Sequence, residues 1–165
     1  MKPIYLEMNY FGPHENSVVD FRLLDESPIF LISGDTGAGK STIFDAMTYA
    51  LFGTTTGDRD AKEMRSQFAT ADDRTSVTFY FEQGNLLYRI ERSPEQKLSK
   101  KRGSGSTLQK STAKLAIVDR VKGIEKNNIA INPKNVGEEI TRLLHLNAEQ
   151  FKKIILLPQN DFSRF

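Results

Sequence analysis

The sequence predicts an α/β fold: a phosphate-binding-loop core joined to an antiparallel β subdomain. Three stretches carry that prediction. Gly34-Asp35-Thr36-Gly37-Ala38-Gly39-Lys40-Ser41-Thr42 fits the pattern G-x-x-x-x-G-K-S/T. It stands between an apolar run, Pro28-Ile29-Phe30-Leu31-Ile32-Ser33, which reads as a buried strand, and a helical pattern in Ile43, Met47, Ala50 and Leu51 that Gly53 stops. Further on, Ser76–Phe81 and Leu86–Glu91 alternate about Gln83-Gly84-Asn85, as an antiparallel hairpin does.

The loop pattern has a physical basis. Glycines let the backbone form a nest of inward-pointing N–H groups. The helix beginning near Gly39 adds the positive end of its dipole at the same place. Lys40 is expected to reach the β- and γ-phosphates of a nucleotide, and the Ser41 hydroxyl to ligate Mg²⁺. Asp45, one turn further on, reads equally as support for that site or as an acid favoured near a helix start.

Residues 2–10 read as a strand with Ile4, Leu6 and Met8 on one face and Tyr5, Glu7 and Asn9 on the other. Phe11-Gly12-Pro13 is a turn, and Val18–Phe21 pairs back as a second strand. His14 falls in the loop between them, where a lone histidine is ordinarily solvated. After the phosphate-loop helix, Gly53–Asp60 is a loop and Ala61–Phe68 a short helix. In the hairpin, Val77, Phe79 and Phe81 face inward and Pro94 ends the second arm. Lys97–Lys110 reads as a mobile basic loop. Its Gly103-Ser104-Gly105 has neither the strand nor the helix that a phosphate cradle needs.

Ala113–Asp119 is a strand. Its ending, Leu115-Ala116-Ile117-Val118-Asp119, has the form of a magnesium-holding Walker B strand, but Arg120 follows where a catalytic glutamate is wanted, so it reads as ordinary sheet. Asn135-Val136-Gly137-Glu138 starts a helix with Val136, Ile140, Leu143 and Leu144 on its apolar face. Asn147-Ala148-Glu149-Gln150 starts another, with Phe151, Ile154 and Ile155, which Pro158 ends. Gln159 follows.

Composition narrows the function. The 165 residues contain no Cys, which excludes a disulfide frame and thiolate chemistry. No apolar run approaches the roughly 20 residues of a membrane span, and Met1–Glu7 lacks a signal-peptide core, so a cytoplasmic protein with no membrane partner is expected. Net charge is +2, but Arg89–Lys126 holds eleven Lys/Arg against four Asp/Glu, or +7, leaving −5 elsewhere. A basic lobe on an acidic body suits a polyanion; a solvated charged loop is the plainer alternative.

The motifs together resemble the N-terminal half of the ATPase head of SbcC-type exonuclease subunits, in the SMC-like branch of the ABC ATPases. The residues are Phe11-Gly12-Pro13; Gly37–Met47 with Ala50-Leu51-Phe52-Gly53; Asp58-Arg59-Asp60 with Met64-Arg65-Ser66; Tyr88–Gln96; Lys100-Lys101-Arg102-Gly103; and Glu149-Gln150-Phe151 with Leu156-Leu157-Pro158-Gln159. Arg92-Ser93-Pro94-Glu95-Gln96 and Leu157-Pro158-Gln159 are the most specific.

The resemblance implies a P-loop NTPase half-head as a single unit over 1–165, with a phosphate-loop core over about 1–68, a β-rich basic subdomain over about 75–126, and a helical segment with the Q-loop over about 134–165. It implies ATP and Mg²⁺ as cofactors, with Gly34–Thr42 binding nucleotide, Lys40 and Gln159 catalytic, and Ser41 and Gln159 on the metal. It implies an SbcD-type nuclease subunit and double-stranded DNA as partners, at the nucleoid, in DNA repair and recombination. It further implies a head-to-head homodimer in which two heads enclose two ATP, and a C-terminal half of the same chain, beyond a coiled coil, that supplies Walker B, the signature loop, the D-loop and the switch histidine. On this reading the chain is truncated before the coiled coil and does not hydrolyse ATP usefully alone. Two positions depart from the pattern: Gly12, where eukaryotic and archaeal relatives carry Arg, and Asn160-Asp161, where Gly-Glu is usual. Two other readings remain: an SMC-like DNA-clamping scaffold without nuclease, and a small-molecule kinase, which would need a lid arginine cluster.

Overall fold

The computed structural model describes residues 1–24, 31–57, 59–100, 102–120 and 123–155. Eight strands lie among them: β1 (Lys2–Phe11), β2 (His14–Asp20), β3 (Ser76–Gln83), β4 (Leu86–Ser93), β5 (Gln96–Ser99), β6 (Ser106–Gln109), β7 (Thr112–Val118) and β8 (Glu125–Ile131). Six of them form a central sheet in the order β2-β1-β3-β4-β7-β8, antiparallel at every pairing. Strands β5 and β6 form a separate ribbon.

Period-two patterning builds the sheet as expected. Leu6, Met8, Val77, Phe79, Phe81, Ile90 and Leu115 are fully buried, each contributing about 1.5–3 kcal/mol. Phe79 stacks with Phe81 and Phe81 with Tyr88, at centroid distances of 5.7 and 5.3 Å. On the opposite face Tyr5 meets Tyr80 edge to face at 5.9 Å. The β3–β4 turn places Gly84 at φ +61°, a backbone state that glycine adopts without strain.

Among the described residues, two α-helices pack on the sheet and a third packs on the first of them. Helix α1 (Lys40–Phe52) packs on β1, β3 and β4, and α2 (Pro133–Leu144) on β7 and β8. Helix α3 (Ala148–Ile155) reaches α1 through Phe151, which lies 5.3 Å from Phe52. Gly53 ends α1 in the left-handed conformation, its N–H donating to the Tyr49 carbonyl at 2.8 Å. The capping box at α3 is reciprocal: Asn147 N–H to Gln150 Oε1 and Gln150 N–H to Asn147 Oδ1, both 2.9 Å.

Several elements differ from expectation. The strand expected over Pro28–Ser33 is absent in its described part. Leu31–Ser33 is irregular and Leu31 is 88% exposed; residues 28–30 lie outside the described residues. A buried strand needs ladder partners, and no described strand pairs with this segment, so apolar content alone does not make it sheet. The basic loop is instead the β5–β6 ribbon, closed by Lys100 N–H to the Gly105 carbonyl at 3.0 Å. It buries only Leu98 among its large apolar side chains, too little to leave an alternating signature.

Strand β2 begins at His14, directly after a two-residue turn, rather than at Val18. The segment after residue 60 is a 3₁₀ turn over Ala61–Met64 only. Helix α2 starts earlier than Asn135: Asn132 is its cap, accepting from Asn135 N–H at 3.0 Å, with Pro133 in the first turn. Strand β8 is not foreshadowed, because its Glu-Lys-Asn-Asn opening is poor in β-formers and its edge position leaves most of it exposed.

Candidate functional site

Helix α1 places the phosphate-loop residues. Gly39 is its N-cap at φ +85°, and Gly37 also lies at positive φ, +87°; L side chains strain in this region, so both positions favour glycine. Ala38 N–H donates to the Asp35 carbonyl at 3.2 Å and Thr42 N–H to the Gly39 carbonyl at 3.1 Å. These bonds curl residues 35–39 into a bend that ends on the first helical turn. Lys40 opens the helix and folds back over the loop, its ammonium donating to the Gly34 and Asp35 carbonyls at 2.5 and 2.6 Å. Ser41 is exposed on the same turn and Thr42 is buried. Gly34 through Thr42 are therefore brought together as one bend, exposed from Gly34 to Ala38, that leads into the first turn of α1 and carries the Lys40 ammonium on its Gly34 and Asp35 carbonyls.

The chemistry of this donor set fits a phosphate chain. A bound phosphate would meet amide donors at a helix start and would take over the contacts that the Lys40 ammonium now makes to its own loop's carbonyls. For a divalent metal, Ser41 Oγ is the expected ligand on this loop. Among the described residues no group of three or more His, Asp or Glu side chains is placed to hold a metal. Gln159 lies outside the described residues.

The expected supporting residues sort themselves differently. Asp45 turns away from the loop's bend and accepts from the Thr56 N–H at 2.9 Å and from the Thr56 hydroxyl. It pins the chain that follows α1, a partner that its sequence position does not suggest. Asp119 belongs to the β7–β8 turn, its N–H bonded to the Ile124 carbonyl at 2.9 Å and its carboxylate 3.6 Å from Lys126. It is sheet structure, in keeping with its neighbour Arg120.

The β1–β2 turn is part of the site. His14 Nε2 lies 3.2 Å from the Gly39 carbonyl and Nδ1 2.9 Å from Ser17 Oγ. A Cβ on Gly39 would fall 2.5 Å from His14 Nε2 and 2.7 Å from Pro13 Cγ; one on Gly12 would fall 2.7 Å from Thr42 Cγ2. The turn and the helix start thus meet glycine against side chain on both sides. His14 reads in sequence as a solvated loop residue; the only local hint is its nearness to the Phe11-Gly12-Pro13 turn.

Behind the helix, the motif residues form a second constellation. Arg92 is 3% exposed. It donates from Nε to the Ala50 carbonyl at 2.7 Å and from Nη2 to the Leu51 carbonyl at 3.1 Å. Burial lowers its pKa to about 10, with nearby Tyr49 opposing the shift. No carboxylate pairs with it among the described residues; the negative end of α1 takes that role. Gln96, 5% exposed, donates to the Thr75 carbonyl at 3.0 Å and to Ser93 Oγ at 2.7 Å and accepts from Thr75 N–H at 2.8 Å.

The basic segment is less free than its charge suggests. Arg89 and Lys114 both pair with Glu125, Arg120 with Glu82 and Lys126 with Asp119. Lys97, Lys100, Arg102 and Lys110 are exposed on or beside the β5–β6 ribbon without an ion pair among the described residues.

A family model described as an AAA domain matches residues 5–165. The chain is 99% identical over 165 residues to the C subunit of nuclease SbcCD from Lactococcus lactis subsp. lactis (strain IL1403). It is 40% identical over 164 residues to the protein of the same name from Vibrio cholerae serotype O1 (strain ATCC 39315 / El Tor Inaba N16961), and 42% over 168 to that from Staphylococcus aureus (strain MRSA252). These alignments take in 98–100% of this chain and 16% of each relative, so the chain spans about a sixth of the length of the curated relatives it matches.

Proposed function

The chain belongs to the AAA domain family, and from that premise we propose that it is the ATP-binding half-head of the ATPase subunit of a DNA nuclease complex. ATP binding and hydrolysis would drive head-to-head dimerisation and DNA processing by an SbcD-type partner, in repair and recombination. The observation that carries the reading is the Lys40 ammonium folded back onto the Gly34 and Asp35 carbonyls, on a loop whose Gly39 is the N-cap of α1. The names of the relatives support the nuclease assignment.

Residue roles follow from chemistry. Amides of Gly37, Gly39 and Lys40 would bind phosphate oxygens, joined by that of Ala38 on leaving the Asp35 carbonyl. Lys40 would bridge to the terminal phosphate, and Ser41 would hold Mg²⁺, which neutralises charge on the phosphates when bound. Gln159 would complete the metal site and position water. Walker B and signature-loop groups would come from a C-terminal half of the same protein. No helix among the described residues is long and apolar enough to cross a membrane; a cytoplasmic, nucleoid-associated location would go with the nuclease role. The exposed cations of the β5–β6 ribbon would meet double-stranded DNA through its phosphates, without reading sequence.

The test is Mg-ATP binding to the full-length protein beside its Lys40→Ala variant. Loss of affinity by about tenfold or more in the variant is expected. Equal binding by the two would overturn the site.

A further inference from the structure

We infer that His14 is a positioning residue for the phosphate loop, acting through the Gly39 carbonyl; the inference rests on the nucleotide-binding reading above. A carbonyl oxygen can only accept, so His14 Nε2, 3.2 Å from it, carries the hydrogen. Ser17 Oγ, 2.9 Å from Nδ1, then donates to the other nitrogen and fixes that tautomer. Ser17, His14 and Gly39 form a short relay from strand β2 to the cap of the loop's helix.

The bond acts at an uncommon place. Gly39 is the N-cap of α1, and no side chain of its own caps the helix start. Its carbonyl accepts from Thr42 N–H at 3.1 Å as well as from His14. The orientation of this carbonyl sets the plane of the Gly39–Lys40 peptide, because the six atoms of a peptide unit are coplanar. The N–H of that peptide belongs to Lys40, whose side chain also leaves from its far end. Holding the carbonyl therefore aims both an amide donor and the ammonium. The contact leaves little slack, since the imidazole and Pro13 occupy the space a Cβ on Gly39 would need.

The prediction separates His14 from a residue that merely stabilises the turn. In the full-length protein, His14→Gln can place an amide N–H where Nε2 stands. His14→Asn places it nearer Nδ1 and cannot reach Gly39. His14→Ala and His14→Asn should raise the Kd for Mg-ATP about tenfold, the scale of one lost hydrogen bond to a fixed donor array. His14→Gln should stay within about threefold of wild type. Ser17→Ala, which frees the tautomer, should fall between. Steady-state hydrolysis should show a raised KM together with a lowered kcat, because the ammonium that His14 helps to aim also acts on the terminal phosphate. Thermal unfolding of each variant distinguishes loss of fold from loss of positioning.

If His14→Ala binds Mg-ATP as wild type does, or if Gln and Asn behave alike, the inference is overturned while the site stands. If wild-type binding itself does not depend on Lys40, the nucleotide reading and the inference fall together.

Discussion

The Arg65 guanidinium donates to Gln96 Oε1 at 2.7 Å, joining residues 31 positions apart. Arg65 also reaches the Thr70 and Asp73 carbonyls, at 2.6 and 2.8 Å. Its own backbone bridges to Phe11, flanked by Gly12 N–H to the Met64 carbonyl at 2.6 Å and Ser66 N–H to the Tyr10 carbonyl at 2.8 Å. The site's β1–β2 turn is thereby tied to the root of the basic ribbon. Gln96→Ala would leave the Thr75 N–H without its buried acceptor and take one donor from the Thr75 carbonyl. A loss of about 2–3 kcal/mol is expected, read from the urea midpoint.

Arg92→Lys tests the far end of α1. One ammonium cannot reproduce the guanidinium fork that reaches the Ala50 and Leu51 carbonyls from two nitrogens. A destabilisation of about 1–2 kcal/mol is expected in thermal unfolding. An unchanged melting temperature would mean that these carbonyls are satisfied without the fork.

Reversing charge at Lys100, Lys101 and Arg102 tests the ribbon; Lys101 lies outside the described residues. The dependence of log Kobs for duplex DNA on log salt should become shallower by roughly 1–3, at about 0.9 for each phosphate no longer neutralised. Unchanged affinity and slope would remove DNA from the ribbon.

Glu125 gives a pH signature. Its hydrogen bond from Lys114, reinforced by Arg89, holds the carboxyl below its ordinary range against a smaller desolvation effect. The unfolded carboxylate takes up its proton first as pH falls, near about 4.3. Stability from this cluster is therefore complete above that value and is lost as pH falls through the lower folded value. Glu125→Gln should flatten the acid limb of melting temperature against pH below about 4.3. The cluster is partly solvent-screened, so the change is modest.

What is legible in the sequence follows its periodicity. Strands β1, β3, β4 and β7 alternate over a buried face, and α1 announces itself by its loop and its stop at Gly53. Strand β8 and the ribbon are illegible because they bury little, and burial is what imprints a pattern. Leu31-Ile32-Ser33 shows the converse. Apolar composition records that a segment seeks cover, but the partner strand must be present for a ladder to form. The site is legible in its backbone-shaped part, residues 34–42. The roles of His14 and Asp45 are not, since each acts through a partner 25 or 11 residues away that no local spacing reveals.

Helix α1 is gripped at both tips: a histidine on one strand holds the carbonyl of its cap, and an arginine on another strand holds two of its last carbonyls. At 1.5 Å per residue it is a rod of about 20 Å. Tilting or sliding such a rod cannot relax one grip without loading the other. A displacement of the helix start would therefore load the Arg92 contacts on β4, from which Pro94 leads directly into the ribbon.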